Sequence, residues 1–213
     1  MTEIKCIPTG ELQTNCYIVT DTQSGLAAVV DPGVFSKTLS EEISGIKIEY
    51  ILLTHGHYDH IGGVNDLAKA TGAKVVIGEK EKAFLSDPRL NLSEGFCYRP
   101  IKNVKADITL CDKESVTLGN TKITFIETPG HTAGGGCYIF DDCIMSGDTL
   151  FCESIGRTDF PTGSYPDIVR SLQKLRGLCD DYKIFPGHGP STTLRQEIAA
   201  NPYMKDNGYE DIY

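Results

Sequence analysis

The sequence predicts an α/β sandwich: two β-sheets packed together, with helices on the outer faces. Three observations carry this. Strand-like runs come in two successive blocks, each accompanied by helical segments. Several of those runs end in a Pro/Gly break followed closely by His or Asp. The chain has 213 residues, 40% of them hydrophobic and 23% charged. That composition suits one domain over residues 1–213 and excludes global disorder.

The first block opens with Ile4–Pro8, Asn15–Thr20 and Leu26–Asp31. These β-prone runs are separated by Thr9-Gly10 and by the turn-forming stretch from Asp21 to Gly25. Asp31-Pro32-Gly33 ends the third, and a short helix is expected from Ser40. Glu49–Thr54 is a short apolar run, expected as a buried strand. A helix over Val64–Ala70 stops at Thr71-Gly72. Lys74–Ile77 reads as a strand, Glu79–Leu85 as a charged helix, and 86–106 as irregular.

Strand signals return from Ile108, through Ser115–Leu118, a Gly119-Asn120 turn and Thr121–Glu127. Cys137–Phe140 and Cys143–Met145 flank Asp141-Asp142, a good hairpin turn. Pro166–Leu178 carries Ile168, Val169, Leu172, Leu175 and Leu178 at helical spacing. Lys183–Phe185 is expected as a strand and Leu194–Ala200 as the last helix. The tail from Asn201 to Tyr213 is left either to cover a site or to fray.

Composition also narrows function. The formal net charge is −9 and no basic cluster is visible, so nucleic acid is not expected as a partner. No apolar run approaches the roughly 20 residues a membrane helix needs. No basic and apolar leader follows Met1, and the eight cysteines form no C-x-x-C pair. A cytoplasmic protein with buried, reduced thiols is therefore expected. Cys152 lies near the motif described next, and a free core thiol is its default.

Thr54-His55-Gly56-His57-Tyr58-Asp59-His60 is the sharpest local feature. His55 and His57 are two residues apart, so an extended backbone points both imidazoles the same way. Asp59 and His60 follow at the start of a helix, where the turning chain aims them at the same volume. His131 follows a strand and Pro129-Gly130; His188 follows a strand and Pro186-Gly187; Asp148 follows a strand and Gly147. That strand edge is where α/β sheets build their sites. All five histidines of the chain are thereby used. With Asp59 and Asp148 they make too many ligands for one closed four-coordinate zinc. Two metals sharing a carboxylate and a water fit the count. In such a site the water's pKa falls towards neutrality, giving a hydroxide nucleophile. The donor set suits zinc, iron or manganese.

His55-x-His57-x-Asp59-His60, then His131, Asp148 and His188, resembles the metallo-β-lactamase superfamily in order and spacing. The resemblance implies an αββα sandwich of two mixed sheets with a two-metal site at one edge. By position, His55, His57 and His131 would bind one metal, and Asp59, His60 and His188 the other. Asp148 would bridge, and Asp59 would also orient the attacking hydroxide. The most frequent type of β-lactamase has Cys at the place of Asp148, which turns the expectation away from antibiotics.

Glu127-Thr128-Pro129-Gly130-His131-Thr132 and Gly147-Asp148-Thr149-Leu150-Phe151 resemble glyoxalase II, the hydroxyacylglutathione hydrolases. Gly156-Arg157-Thr158-Asp159-Phe160 and Phe185-Pro186-Gly187-His188-Gly189 resemble its short bacterial relatives. Arg157 stands where the family has a basic contact to glutathione; an ion pair with Asp159 is the alternative reading. The long form has a further helical C-terminal domain, so resemblance to the short form implies a more open site. The implied substrate is a small-molecule thioester, cleaved with two divalent cations, zinc first among them. Its acyl and thiol parts stay open, as does the oligomeric state. Three rival readings are a mononuclear-iron persulfide dioxygenase, a phosphodiesterase or nuclease, and a non-catalytic metal-binding domain.

Overall fold

Strand β4 (Lys47–Leu53) shows why the fold has layers. Ile51 and Leu53 enter one apolar core, whereas Tyr50 and Leu52 enter another. Side chains alternate across a strand, so a strand apolar on both faces must lie between two apolar layers. β4 is inside a six-stranded sheet of order β1 (Thr2–Thr9), β2 (Thr14–Asp21), β3 (Leu26–Val30), β4, β5 (Lys74–Gly78) and β6 (Ile108–Leu110). β1 to β3 pair antiparallel, and β3 to β6 pair parallel.

The second six-stranded sheet holds β7 (Ser115–Leu118), β8 (Thr121–Glu127), β9 (Gly136–Phe140) and β10 (Cys143–Gly147). A small hairpin, β11 (Leu150–Phe151) and β12 (Ser154–Ile155), leaves the sheet before β13 (Lys183–Pro186) and β14 (Thr192–Thr193) rejoin it. β10 and β13 run parallel beside otherwise antiparallel neighbours, so both sheets are mixed. The central core joins Val19, Val30 and Leu52 of one sheet to Leu118, Phe125 and Tyr138 of the other.

Helices cover both outer faces. Leu39 of α1 (Lys37–Glu42), Ile61 of α2 (Tyr58–Ile61) and Leu67 of α3 (Val64–Thr71) pack on the first sheet. Leu172 and Leu175 of α5 (Tyr165–Arg176), with Leu194 of α6 (Leu194–Ala200), pack on the second. Each such apolar side chain contributes about 1.5–3 kcal/mol when fully buried. The result is the expected αββα sandwich. The computed structural model describes residues 1–98, 100–101 and 103–205. The end of the tail, 206–213, expected either to cover a site or to fray, lies outside the described residues. Among the described residues no helix is long and apolar enough to cross a membrane.

Several local expectations need correction. The segment Glu79–Leu85 is a 3-10 helix, not an α-helix, and it turns Glu81, Phe84 and Leu85 inward. The stretch expected to be irregular contains α4 (Ser93–Phe96), where Asn91 Oδ1 accepts from the Ser93 amide. α1 begins at Lys37 because the Ser36 hydroxyl caps it by accepting from Leu39 N–H. All eight cysteines are free, but only Cys16, Cys137 and Cys143 are buried. Cys6, Cys111 and Cys179 are exposed and Cys97 and Cys152 are half-buried, because their strands and loops turn those positions outward.

Candidate metal centre

Four strands of the two sheets deliver the site. The turn after β4 carries His55 and His57, and α2 then carries Asp59 and His60. β8, β10 and β13 lead to His131, Asp148 and His188 respectively. All seven residues singled out as ligands converge. His55, His57 and His131 form one group able to hold a metal ion, and Asp59, His60 and His188 form another. Within each group the candidate ligand atoms lie within 4.8 Å of one another. Asp148 stands between the groups. Its Oδ1 is 3.4 Å from His60 Nε2, and its Oδ2 is 3.5 Å from His131 Nε2 and 3.7 Å from His188 Nε2.

Hydrogen bonds around the cluster decide which ring nitrogen faces inward. His60 Nδ1 donates to Asp31 Oδ2 at 3.0 Å, and His131 Nδ1 donates to the Arg157 carbonyl at 2.7 Å. His188 Nδ1 donates to the Leu12 carbonyl at 3.2 Å. The Thr54 hydroxyl donates to Asp31 Oδ2 at 2.6 Å, which leaves its oxygen to accept from His55 Nδ1 at 3.2 Å. Each of these four rings therefore turns its Nε2 lone pair into the cluster. His57 is reversed: its Nδ1 lies 2.9 Å from His131 Nε2.

A buried polar atom without a partner costs free energy, so native proteins hold few. Among the described residues the unpartnered ones are His55 Nε2, His57 Nε2, His60 Nε2, Asp148 Oδ1 and Thr132 Oγ1. Three of these five, His55 Nε2, His60 Nε2 and Asp148 Oδ1, are atoms turned into the cluster, which is the pattern expected of donors shaped for a cation. The donor set, imidazoles with carboxylates, fits a divalent metal of the zinc, iron or manganese kind.

The two groups differ in charge. Burial, then the neighbouring imidazoles, hold His55 well below its usual range, and burial with His131 brings His57 down to about 3. In the other group burial is outweighed by carboxylates. Asp59, Asp148 and Asp31 lift His60 to about 10, and Asp59 and Asp148 raise His188. Burial of Asp59 is in turn outweighed by His60 and His188, which hold its carboxyl below the usual range. The first group is thus a neutral nest, and the second draws in positive charge.

Two positioning residues escaped the sequence reading. By sequence Asp31 is a strand end, yet in the fold it accepts from the Thr54 amide, the Thr54 hydroxyl and His60. Its strand–Asp–Pro–Gly context resembles the ligand loops and could have marked it. Glu81 belongs by sequence to a charged helix, but it is fully buried. Its two oxygens accept from Gly56 N–H at 2.8 Å and Gly134 N–H at 3.0 Å, tying the first histidine loop to the one after His131. Burial, against these hydrogen bonds, pushes its carboxyl up to about 7. No spacing signal separates it from Glu79, Lys80 and Lys82.

Arg157 adopts the alternative reading. Its Nε and terminal amine donate to Asp159 at 2.7 and 2.6 Å, and the guanidinium lies 3.9 Å above the Phe160 ring. It still lines the cavity of about 480 Å³ that opens onto the cluster. Gly187 shows how closely backbone approaches the centre. A Cβ there would lie 2.2 Å from Asp148 Oδ1 and 2.7 Å from His60 Cε1. Gly187→Ala is therefore expected to displace Asp148 and weaken metal affinity roughly 10- to 100-fold, measured by metal titration calorimetry.

The cluster and its sandwich define a class, and comparison agrees. The chain belongs to the metallo-β-lactamase superfamily, whose profile matches residues 9–188. It is similar to a "probable metallo-hydrolase" of Streptococcus pyogenes, 37% identical over 89% of this chain and 85% of that one. It is also similar to a hydroxyacylglutathione hydrolase of Haemophilus influenzae, 32% identical over 94% of this chain and 97% of that one. Among solved structures, the BLEG-1 B3 metallo-β-lactamase superposes with a TM-score of 0.89 at 35% identity. That match covers 95% of this chain and all of the other.

Proposed function

We propose that this protein is a hydrolase that uses two divalent cations, zinc first among them, to cleave a small-molecule thioester of the hydroxyacylglutathione type. The observation that carries the proposal is the set of three unpartnered, buried donor atoms, His55 Nε2, His60 Nε2 and Asp148 Oδ1, in a cluster fed by both sheets. His55, His57 and His131 would hold one ion; Asp59, His60 and His188 would hold the other, with Asp148 between them. Two such cations supply Lewis acidity, polarising a carbonyl and lowering the pKa of a water. Likeness to a hydroxyacylglutathione hydrolase over nearly the whole chain supports the thioester.

The chain's own residues have separable tasks. Asp31 and Thr54 lock the rings of His60 and His55 in one orientation. Thr14 donates to Asp59 Oδ2 at 3.1 Å, which fixes that carboxylate for orienting a water. A thiolate leaves without prior protonation, so the reaction needs no separate general acid. That agrees with a centre in which every histidine of the chain is already placed.

Likeness to a B3 β-lactamase makes β-lactam hydrolysis the second reading. Its amine leaving group, unlike a thiolate, must be protonated. The deciding experiment combines metal analysis of protein purified without added metal with three assays. These are S-lactoylglutathione hydrolysis, β-lactam hydrolysis, and oxygen uptake on glutathione persulfide. The expected result is two metals per chain and thioester turnover that a chelator abolishes and added zinc restores. One iron with oxygen uptake would overturn it in favour of a dioxygenase. Turnover of a β-lactam alone would favour the second reading.

A further inference from the structure

We propose that the cavity beside the metal cluster binds an apolar acyl chain, so that among thioesters the protein prefers those with a longer hydrocarbon acyl part. This rests on the thioester reading above and specifies its acyl part. One face of the cavity is the cluster itself, through His57, Asp59, His131, Asp148 and His188. Its remaining wall is dominated by Leu12, Leu92, Phe96, Phe151, Ile155 and Phe160. A cavity with polar chemistry at one end and apolar walls elsewhere fixes a ligand's reacting group and leaves its tail to be recognised by area.

The apolar surface does not stop at the rim. Tyr58 and Phe96 stack in parallel, with centroids 5.8 Å apart and planes 5° apart, and both line a second cavity of about 380 Å³. The two cavities share Leu12, Tyr58, Asp59 and Phe96, so they meet across one aromatic ridge. Six large hydrophobic side chains are exposed among the described residues, and four of them, Leu12, Val34, Phe96 and Tyr98, line these two cavities. Scattered apolar exposure is ordinary, but its concentration beside a reactive centre marks a binding surface.

Arg157 reinforces this reading. Asp159 matches its charge on two nitrogens, and its guanidinium carbon lies 3.9 Å from the centre of the Phe160 ring. At this wall of the cavity the arginine is therefore charge-compensated. A chain attached to a carbonyl held at the cluster would run along Phe160 and Phe151 towards the Leu12–Phe96 ridge.

The test is a series of acyl thioesters of one thiol, N-acetylcysteamine, from acetyl to octanoyl, assayed on the metal-loaded protein. Each added methylene is expected to raise kcat/KM by up to about fourfold until the cavity is filled. Phe96→Ser and Leu12→Ser are exposed substitutions with little effect on folding, and each is expected to lower the hexanoyl-to-acetyl ratio by about tenfold. A flat series, or a ratio unmoved in both variants, would overturn the inference while leaving thioester hydrolysis intact. Calorimetry with non-hydrolysable alkyl ketone analogues of the same lengths separates the opposite failure. Chain-dependent binding that Phe96→Ser weakens, without turnover of any thioester, would uphold the apolar site and overturn the hydrolase reading. Binding that does not depend on chain length would overturn the inference.

Discussion

Asp148→Ala is expected to lower the metal content from two ions per chain to one and to remove thioester turnover almost entirely. Asp148 lies in contact range of both ligand groups, through His131 on one side and His60 and His188 on the other. Its Oδ1 has no hydrogen-bond partner, so the variant loses no hydrogen bond there and is expected to fold. The fall in kcat/KM is expected to exceed the roughly 10- to 100-fold that an outer partner of a metal is worth. Asp148→Asn separates charge from shape. It fills the same space but is neutral, and it is expected to share the defect. Metal analysis and steady-state rates on the same preparations check both, and full metal content in Asp148→Ala would show that it does not bridge.

The second large effect is expected from Glu81→Ala, at a residue that lies outside the donor set. Its carboxylate is the shared acceptor for Gly56 and Gly134, one on each histidine loop. Removing it strands two buried N–H groups, at about 1–3 kcal/mol each. For a chain of this size that corresponds to a fall in Tm of about 10 °C. Metal affinity should fall roughly 10- to 100-fold as the two loops separate. Glu81→Gln offers only one acceptor oxygen, so an intermediate result is expected.

The pH dependence of the Glu81 effect has a defined sign. The folded pKa is raised, to about 7 from an ordinary 4.5, because burial disfavours the ionised form. Between these values the folded chain keeps a proton that the unfolded chain releases. The stabilising contribution of Glu81 is therefore fully present below 4.5 and lost as pH rises through 7. The difference in urea midpoint between the natural chain and Glu81→Ala should narrow over that window, with metal content held constant.

Much of the fold was legible because alternation and turn chemistry agreed along the chain. The runs at Asn15–Thr20, Glu49–Thr54 and Thr121–Glu127 all became strands, and Asp141-Asp142 became the turn between β9 and β10. The seven candidate ligands were legible because each sits just past a strand, where few other roles demand His or Asp. What stayed hidden was set by tertiary packing. β11 and β12 are two residues each, too short to show a period. Glu81 has the composition of a solvated turn, and only the approach of Gly56 and Gly134 makes it a brace. Leu92 and Phe96 come from a stretch without periodicity, so their shared wall exists only once α4 lies beside α2.

The division of donors between the two sheets has a consequence for how the molecule holds together. The first sheet contributes His55, His57, Asp59 and His60, and the second contributes His131, Asp148 and His188. Neither the His55, His57 and His131 group nor the Asp59, His60 and His188 group is completed within one sheet. An ion captured by either of them would act as a clasp across the seam of the sandwich. Ligation of that kind feeds directly into folding, adding about 2.7 kcal/mol when free metal stands at 100 times its dissociation constant. The same residues that would activate a water would then also govern lifetime against proteolysis, so metal scarcity would remove the protein as well as silence it.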